Sequence, residues 1–151
     1  MAMGGVQAVE PGQHAPAIDL PGPAAQVNLS QLQGKLVYLD FWASWCGPCR
    51  QSLPWMNEMQ AKYGTRGLQV VGVNLDNKTE DATKFLAQVP ARFAVGFDPQ
   101  GDTARRYQLK GMPSSVLIGP DGKVIQVHIG FQADQRQALE TVIVAALPAA
   151  R

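Results

Sequence analysis

Two near-continuous runs of apolar residues mark the centre of the predicted fold. Residues 36–42 and 68–75 contain few polar positions, which is typical of strands covered on both faces of a parallel sheet. Shorter apolar runs, bounded by glycine, proline and aspartate, predict three further strands at residues 93–97, 114–118 and 124–129. The chain is therefore expected to contain a sheet whose central strands are buried on both sides.

Apolar residues recur every three or four positions between and after these strands, which predicts helices with one face against the sheet. The helices are expected at residues 47–63, 79–89, 102–107 and 133–147. Ser30 and Thr79 are expected to cap a short turn and the second of these helices. Alternating strands and helices of this kind predict an α/β fold with helices on both sides of a sheet.

Length and charge narrow the class of protein. The 151 residues predict one domain at residues 15–147, preceded by a flexible lead-in at 1–14 and followed by a tail at 148–151. The net charge is +1 and no basic run exceeds the pair Arg105 and Arg106, so no nucleic-acid partner is expected. No stretch approaches the about 18 apolar residues of a membrane-spanning helix, so we expect no membrane insertion of this sequence. A native signal peptide or anchor is compatible with it. We also expect a monomer.

Cys46 and Cys49 are the only cysteines, and they lie where the first long strand passes into a helix. Residues three apart on a helix face the same way, so the two sulfurs can reach disulfide distance. A bridge that closes so small a ring stabilises the fold little, which favours a chemical role. The helix N-terminus favours a thiolate, so Cys46 is the expected nucleophile and Cys49 the resolving thiol.

Metal binding and an inert structural bridge are the alternatives that the residues themselves leave open. A structural zinc site would need about two more ligands, and the only histidines, His14 and His128, are isolated. Soft ligands suit Cu(I), so the cysteines with a methionine or histidine could form a copper-handling module, although no third ligand lies at motif spacing. We therefore expect no metal ligands.

Several motifs together resemble the thioredoxin superfamily. They are Asp-Phe-Trp-Ala at residues 40–43, Trp-Cys-Gly-Pro-Cys at 45–49, Pro54, and Gly-Met-Pro-Ser at 111–114. The resemblance implies a thioredoxin-like three-layer α/β/α sandwich with a central mixed β-sheet. The segment between Leu75 and Tyr107 is longer than in a plain thioredoxin by about one helix and one strand. With the N-terminal extension, it makes residues 15–147 resemble the extracytoplasmic thiol-disulfide oxidoreductases of the TlpA, ResA and CcmG types.

Asp40 interrupts a buried strand, and loss of hydration there raises the pKa of a carboxyl group. The alternative is an edge position with Asp40 turned to water. The resemblance assigns this acid to deprotonating the resolving thiol. It also implies a cis bond before Pro113, against the cysteine pair.

The substrate is expected to contact five residues around the cysteines: Trp45, Gly47, Pro48, Met112 and Pro113. Met112 is expected to present its backbone to an extended substrate segment. Trp45 is expected to pack beside the thiols and limit water there, with a place in the core as its alternative. Several relatives carry an acid near the position of Asn77, and the sequence leaves open whether Asp76 or Asn77 contributes.

The resemblance implies a thiol-disulfide oxidoreductase that reduces protein disulfides. Gly47-Pro48 between the cysteines resembles the reducing members of the superfamily. Cys46 and Cys49 would form the redox-active disulfide with no further cofactor, and the partners would be a disulfide-containing protein and an upstream thiol electron donor. The expected location is periplasmic or otherwise extracytoplasmic, with a cytoplasmic location as the alternative. A thiol peroxidase is a second alternative, suggested by the superfamily alone.

Overall fold

A five-stranded mixed sheet with helices on both faces forms the centre of the structure, a computed structural model that describes residues 8–149. The strands are β1 (Asp19–Leu20), β2 (Val27–Asn28), β3 (Leu36–Trp42), β4 (Leu68–Asn74), β5 (Ala94–Phe97), β6 (Ser114–Ile118) and β7 (Val124–Ile129). The α-helices are α1 (Cys49–Tyr63), α2 (Thr79–Gln88), α3 (Asp102–Tyr107) and α4 (Arg136–Ala146). Short 3₁₀ turns occupy Leu29–Leu32, Gly64–Arg66 and Ala133–Gln135.

The large sheet has the strand order β5-β4-β3-β6-β7, with β1 and β2 forming a separate antiparallel pair. Strands β3, β4 and β5 are parallel, whereas β6 and β7 run antiparallel to their neighbours. The expected mixed sheet is therefore confirmed. Strand β3 is central, and all seven of its residues are buried.

Alternate residues of β3 pack into two different core layers, because successive side chains of a strand point to opposite faces. Leu36, Tyr38 and Trp42 pack with residues of α1, α2 and α4. Val37, Leu39 and Phe41 lie in the second layer, which includes residues of α3 and the N-terminal segment. Asp40 falls on the same face as Tyr38 and Trp42, the face that α1 covers. The expected three-layer sandwich is confirmed.

Local details at the ends of elements differ from the sequence-based expectations. Asn28, not Ser30, caps the first short turn, because its Oδ1 accepts the Ser30 N–H at 2.9 Å. Thr79 is the first residue of α2, and Lys78 stands at its N-cap without a side-chain hydrogen bond. Short polar side chains can bond several nearby N–H groups, so the sequence does not decide which of them caps a helix.

Part of the expected lead-in packs against the folded domain. Val9 is buried, and its N–H lies 3.4 Å from the Tyr107 carbonyl oxygen. The Gly12 N–H donates to the Val124 carbonyl at 2.8 Å, which ties this segment to β7. Residues 1–7 and 150–151, expected in the lead-in and tail, lie outside the described residues, and the domain boundaries stay a prediction. Among the described helices, none has the length and apolar character needed to cross a bilayer.

Candidate active site

Cys46 and Cys49 are joined by a disulfide between the end of β3 and the start of α1, with Cα atoms 5.4 Å apart. The Cys46 N–H donates to the Ala43 carbonyl at 3.1 Å, and the Cys49 N–H donates to the Cys46 carbonyl at 3.2 Å. These bonds form two consecutive turns leading into the helix. The two sulfurs are therefore at bonding distance, as the spacing predicts.

The helix begins at Cys49, so the expected start at residue 47, with Cys46 opening the helix, is wrong. Pro48 occupies the N-cap position, and Gly47 and Pro48 form the exposed turn between the cysteines. Proline restricts the backbone of the residue before it, which prevents a regular helix from extending back through Gly47. Cys46 instead stands just before the N-terminal end of α1, where the helix dipole still favours a thiolate.

The two sulfur-bearing residues differ in exposure, and this difference separates their roles. Cys46 retains 5% exposure, whereas Cys49 is fully buried. A substrate approaching from solvent can therefore reach Cys46 before Cys49. Trp45 is 66% exposed, so the alternative that placed its ring in the core is wrong. Its indole offers apolar surface beside Cys46 in the chain.

Asp40 lies in the middle of β3, paired with Gly72 of β4 and Ser115 of β6. It is 3% exposed, and its Oδ2 has no hydrogen-bond partner among the described residues. Burial raises the pKa of the Asp40 carboxyl well above the ordinary value of 3.8. The alternative of an edge position turned to water is wrong. A group in this state can hold a proton at a pH where an exposed aspartate cannot.

Aromatic side chains pack together on the face of the sheet to which Asp40 also belongs. Tyr38, two residues along β3, makes an edge-on contact with Trp55 of α1 at 5.6 Å between ring centroids, and Trp55 lies 5.5 Å from Phe131. Burial, with the neighbouring Asp40 charge, also raises the pKa of the Tyr38 hydroxyl. Sequence reasoning missed Trp55 and Phe131, because neither falls on the apolar repeat that predicted the helices.

The Met112–Pro113 peptide bond is cis, and Pro113 is buried immediately before β6. Ser114, the first residue of β6, pairs with Phe41 near the end of β3. Because the two strands are antiparallel, the turn before β6 lies at the end of the sheet from which the Cys46 segment leaves. The fold therefore brings Met112 and Pro113 to the same end of the sheet as the disulfide. Half-buried Met112 lines a groove of about 570 Å³ with Leu75, Leu109 and Gly111 among its other walls.

Asp76 and Asn77, whose contribution the sequence left open, differ in their surroundings. Asp76 is buried and accepts hydrogen bonds from Ser44, two residues before Cys46. Asn77 is exposed. The sequence offered no signal for Ser44, which is 32 residues from Asp76.

The two histidines lie apart from the cysteines in the chain and in their contacts. His14 is exposed, and His128 Nε2 lies 3.2 Å from Gln135 Oε1. Within residues 8–149, no three histidine, cysteine, aspartate or glutamate side chains are grouped as a metal site would require.

Comparisons with known proteins agree with this geometry. The Redoxin family model matches residues 10–143. The chain is 34% identical over 131 residues to "Thiol-disulfide oxidoreductase ResA" of Bacillus thuringiensis subsp. konkukian, covering 85% of this chain and 75% of that protein. Its counterpart in Bacillus subtilis is 30% identical over 131 residues, covering 86% and 73%.

A solved structure matches over nearly the whole chain. It is a putative thiol:disulfide interchange protein DsbE from Chlorobium tepidum, with 60% identity, a TM-score of 0.90, and coverage of 92% of this chain and 99% of that one. The thioredoxin-like fold and the resemblance to the TlpA, ResA and CcmG types are thereby confirmed. The chain belongs to the Redoxin family within the thioredoxin superfamily, and with its Cys46–Cys49 pair it is a thiol-disulfide oxidoreductase of the ResA and DsbE-like group.

Proposed function

We propose that the protein reduces disulfides of extracytoplasmic proteins, with Cys46 as nucleophile and Cys49 as resolving thiol. The observation that supports these roles is the unequal exposure of two bonded cysteines at the start of a helix, 5% for Cys46 and 0% for Cys49. Only Cys46 keeps any surface that an incoming disulfide can reach without opening the fold. Cys49, which keeps none, is placed to attack what Cys46 has captured.

The reaction consists of two exchanges. The Cys46 thiolate attacks one sulfur of the substrate disulfide, so a Cys46–substrate bond forms while the substrate bond breaks and its second sulfur takes up a proton. Cys49 then gives its proton to Asp40 and attacks the Cys46 sulfur. The Cys46–Cys49 bond forms, the Cys46–substrate bond breaks, and the substrate sulfur that Cys46 had attacked leaves as a thiolate and is protonated. The substrate gains two electrons, and an upstream thiol donor restores the dithiol.

Asp40 supports the second exchange as proton acceptor. Cys49 and Asp40 lie on the same side of the sheet, since Asp40 alternates with Tyr38 and Trp42 toward the layer that contains Cys49. Burial raises the pKa of the Asp40 carboxyl, which brings it closer to that of a thiol and makes proton transfer between them more even. A carboxyl with an ordinary pKa would be a weaker base.

The direction is inferred from Gly47-Pro48, which resembles the reducing members of the superfamily. Relatives named ResA and a structure named as a DsbE interchange protein support protein disulfides as substrates and an extracytoplasmic location, and we propose a monomer. A midpoint potential near that of strong oxidants, about −120 mV, would overturn the direction.

Trapping tests this function. A Cys49→Ser variant retains the attacking sulfur but lacks the resolving one, so it is expected to accumulate a mixed disulfide between Cys46 and its substrate in cells. Mass spectrometry of the trapped species identifies the partner. Capture of no protein, while Cys46 stays reduced and reactive to alkylation, would argue against protein disulfides. Peroxide consumption that persists in this variant would instead favour the thiol peroxidase alternative.

Trp45 is expected to contribute apolar contact to the substrate. Its 66% exposure means that Trp45→Ala removes little packing, so the free energy of unfolding should stay within about 0.5 kcal/mol of wild type. The second-order rate with a protein disulfide should fall about threefold to tenfold, because an exposed indole is a typical contact residue. Kinetics with a protein disulfide and with a small disulfide measure this effect, which should be larger for the protein.

Ile125 offers a matched control. It is 39% exposed and lies beside Gly119, at the end of β6 remote from Pro113. Ile125→Ala should leave both rates unchanged. Equal losses for the two variants would remove Trp45 from the substrate surface.

A further inference from the structure

A buried polar cluster lies where the chain leaves β3 and β4. Trp42 and Asn74, the last residues of these parallel strands, are paired in register. The Leu75 N–H donates to the Trp42 carbonyl at 2.9 Å, which continues the pairing beyond the strands. The two exit segments therefore run side by side, and Ser44 meets Asp76, each two residues past its strand.

The Asp76 carboxylate accepts three hydrogen bonds and is 2% exposed. Its Oδ1 accepts from the Ser44 hydroxyl at 2.6 Å, and its Oδ2 accepts from the Ser44 N–H at 2.9 Å and from the Asn74 amide at 2.8 Å. The Asp76 N–H donates back to Asn74 Oδ1 at 3.0 Å. One side chain just beyond β4 thus holds both the backbone and the side chain of Ser44.

This contact restrains the residue that carries the reactive sulfur. The Cys46 N–H is bonded to the Ala43 carbonyl, so Ser44 and Trp45 form the tip of a tight turn whose base is β3. In the oxidised protein, Cys46 is also held by its bond to Cys49. Reduction breaks that bond, and the turn before the free thiol is then held by the Asp76 contact together with the Cys46 N–H bond to Ala43.

We propose that Asp76 is a positioning residue for Cys46 that acts through Ser44. The proposal rests on the function inferred above, in which Cys46 is the attacking sulfur. Attack requires the sulfur in line with the substrate disulfide, and displacements on the order of 1 Å reduce rates severely. The contact keeps the Cys46 sulfur in this geometry after the disulfide has opened.

The test uses proteins in which Cys49 is already serine, so that Cys46 is the only thiol. Its rate of attack on a small aromatic disulfide is measured across pH, together with its rate of alkylation, for Asp76→Ala, Asp76→Asn and Ser44→Ala. Asp76→Ala should slow attack on the disulfide about tenfold at the high-pH plateau, and Ser44→Ala about threefold. The plateau matters because there the thiol is fully ionised, so a lower rate reports geometry.

Asparagine is the conservative replacement, because its amide oxygen can accept from the Ser44 and Asn74 N–H groups while its amide nitrogen donates to the Ser44 hydroxyl oxygen. Asp76→Asn should therefore recover the plateau rate to within about twofold of the parent. Asp98→Ala is the matched control for loss of a buried carboxylate. Asp98 is 3% exposed and accepts from the Ala104 N–H at 3.1 Å at the end of β5, so its loss should leave the plateau unchanged.

Wild-type plateau rates in folded Asp76→Ala and Ser44→Ala would overturn the proposal, with folding verified by circular dichroism and a cooperative melt. If Asp76→Ala does not fold, Ser44→Ala decides alone, since it removes one hydroxyl from a half-buried residue. A plateau that falls equally in Asp98→Ala would reduce Asp76 to a structural role. A parent protein whose Cys46 fails to attack any disulfide would contradict the proposed function itself.

Discussion

Replacing Cys46 with serine is expected to abolish disulfide exchange, lowering the rate by about a thousandfold or more. The serine hydroxyl is not ionised at neutral pH, and Cys49, fully buried, cannot meet a substrate in its place. Reduction of a protein disulfide by the pre-reduced variant measures the effect in a single turnover. The fold should persist, because the Cys46–Cys49 bond closes only a small ring.

Cys49→Ser is the matched control for this prediction. It should still react once with a disulfide, because Cys46 remains, but it should not complete turnover. If Cys46→Ser left single-turnover reduction intact while Cys49→Ser eliminated it, the assignment would be reversed, with Cys49 as the nucleophile and Cys46 as the resolving thiol. The exposure difference would then reflect the oxidised state alone.

Replacing Asp40 with asparagine is expected to stabilise the oxidised protein at neutral pH. The raised pKa means that the folded state keeps the Asp40 proton at pH values where the unfolded chain has lost it. Wild-type stability therefore falls as pH rises above about 4, by up to about 1.4 kcal/mol per pH unit, until the folded carboxyl ionises. Asparagine has no proton to lose, so its advantage should be near zero at pH 4 and should grow as the pH rises toward the pKa of the folded carboxyl.

Denaturant unfolding at several pH values measures this difference, and Asp98→Asn is the control. Asp98 is also buried but accepts a hydrogen bond from α3, so its replacement should bring no gain at pH 7. If the stability of wild type and of Asp40→Asn changed in parallel between pH 4 and pH 8, the Asp40 carboxyl would ionise over the same pH range in the folded and unfolded states, and its pKa would not be raised.

The same Asp40→Asn variant should slow the release of substrate. Loss of a general base typically costs 10²–10⁴-fold, and we expect about a hundredfold for the attack of Cys49 on the mixed disulfide near neutral pH. Formation of the mixed disulfide by Cys46 should change little. Stopped-flow measurement of both steps distinguishes them, and equal slowing of the two would indicate a general effect on the fold.

Local pattern was sufficient for the strands and for the reactive pair. Strand β3 was predicted at residues 36–42 and is observed at Leu36–Trp42, because a run of large apolar residues leaves little choice but burial on both faces. The disulfide followed from spacing, since residues three apart near a helix start lie close whatever the rest of the fold does. The buried position of Asp40 followed from its neighbours in the same run.

Only the tertiary structure decided which groups meet across the ends of the strands. Trp45 is apolar and local pattern allowed a place in the core, but the turn that begins at the end of β3 leaves its ring 66% exposed. Ser44 and Asp76 are 32 residues apart and meet because β3 and β4 pair in register. The residues next to each of them in the sequence give no sign of this contact. Periodicity reports the burial of one element at a time, whereas hydrogen bonds between distant side chains depend on how two elements are placed against each other.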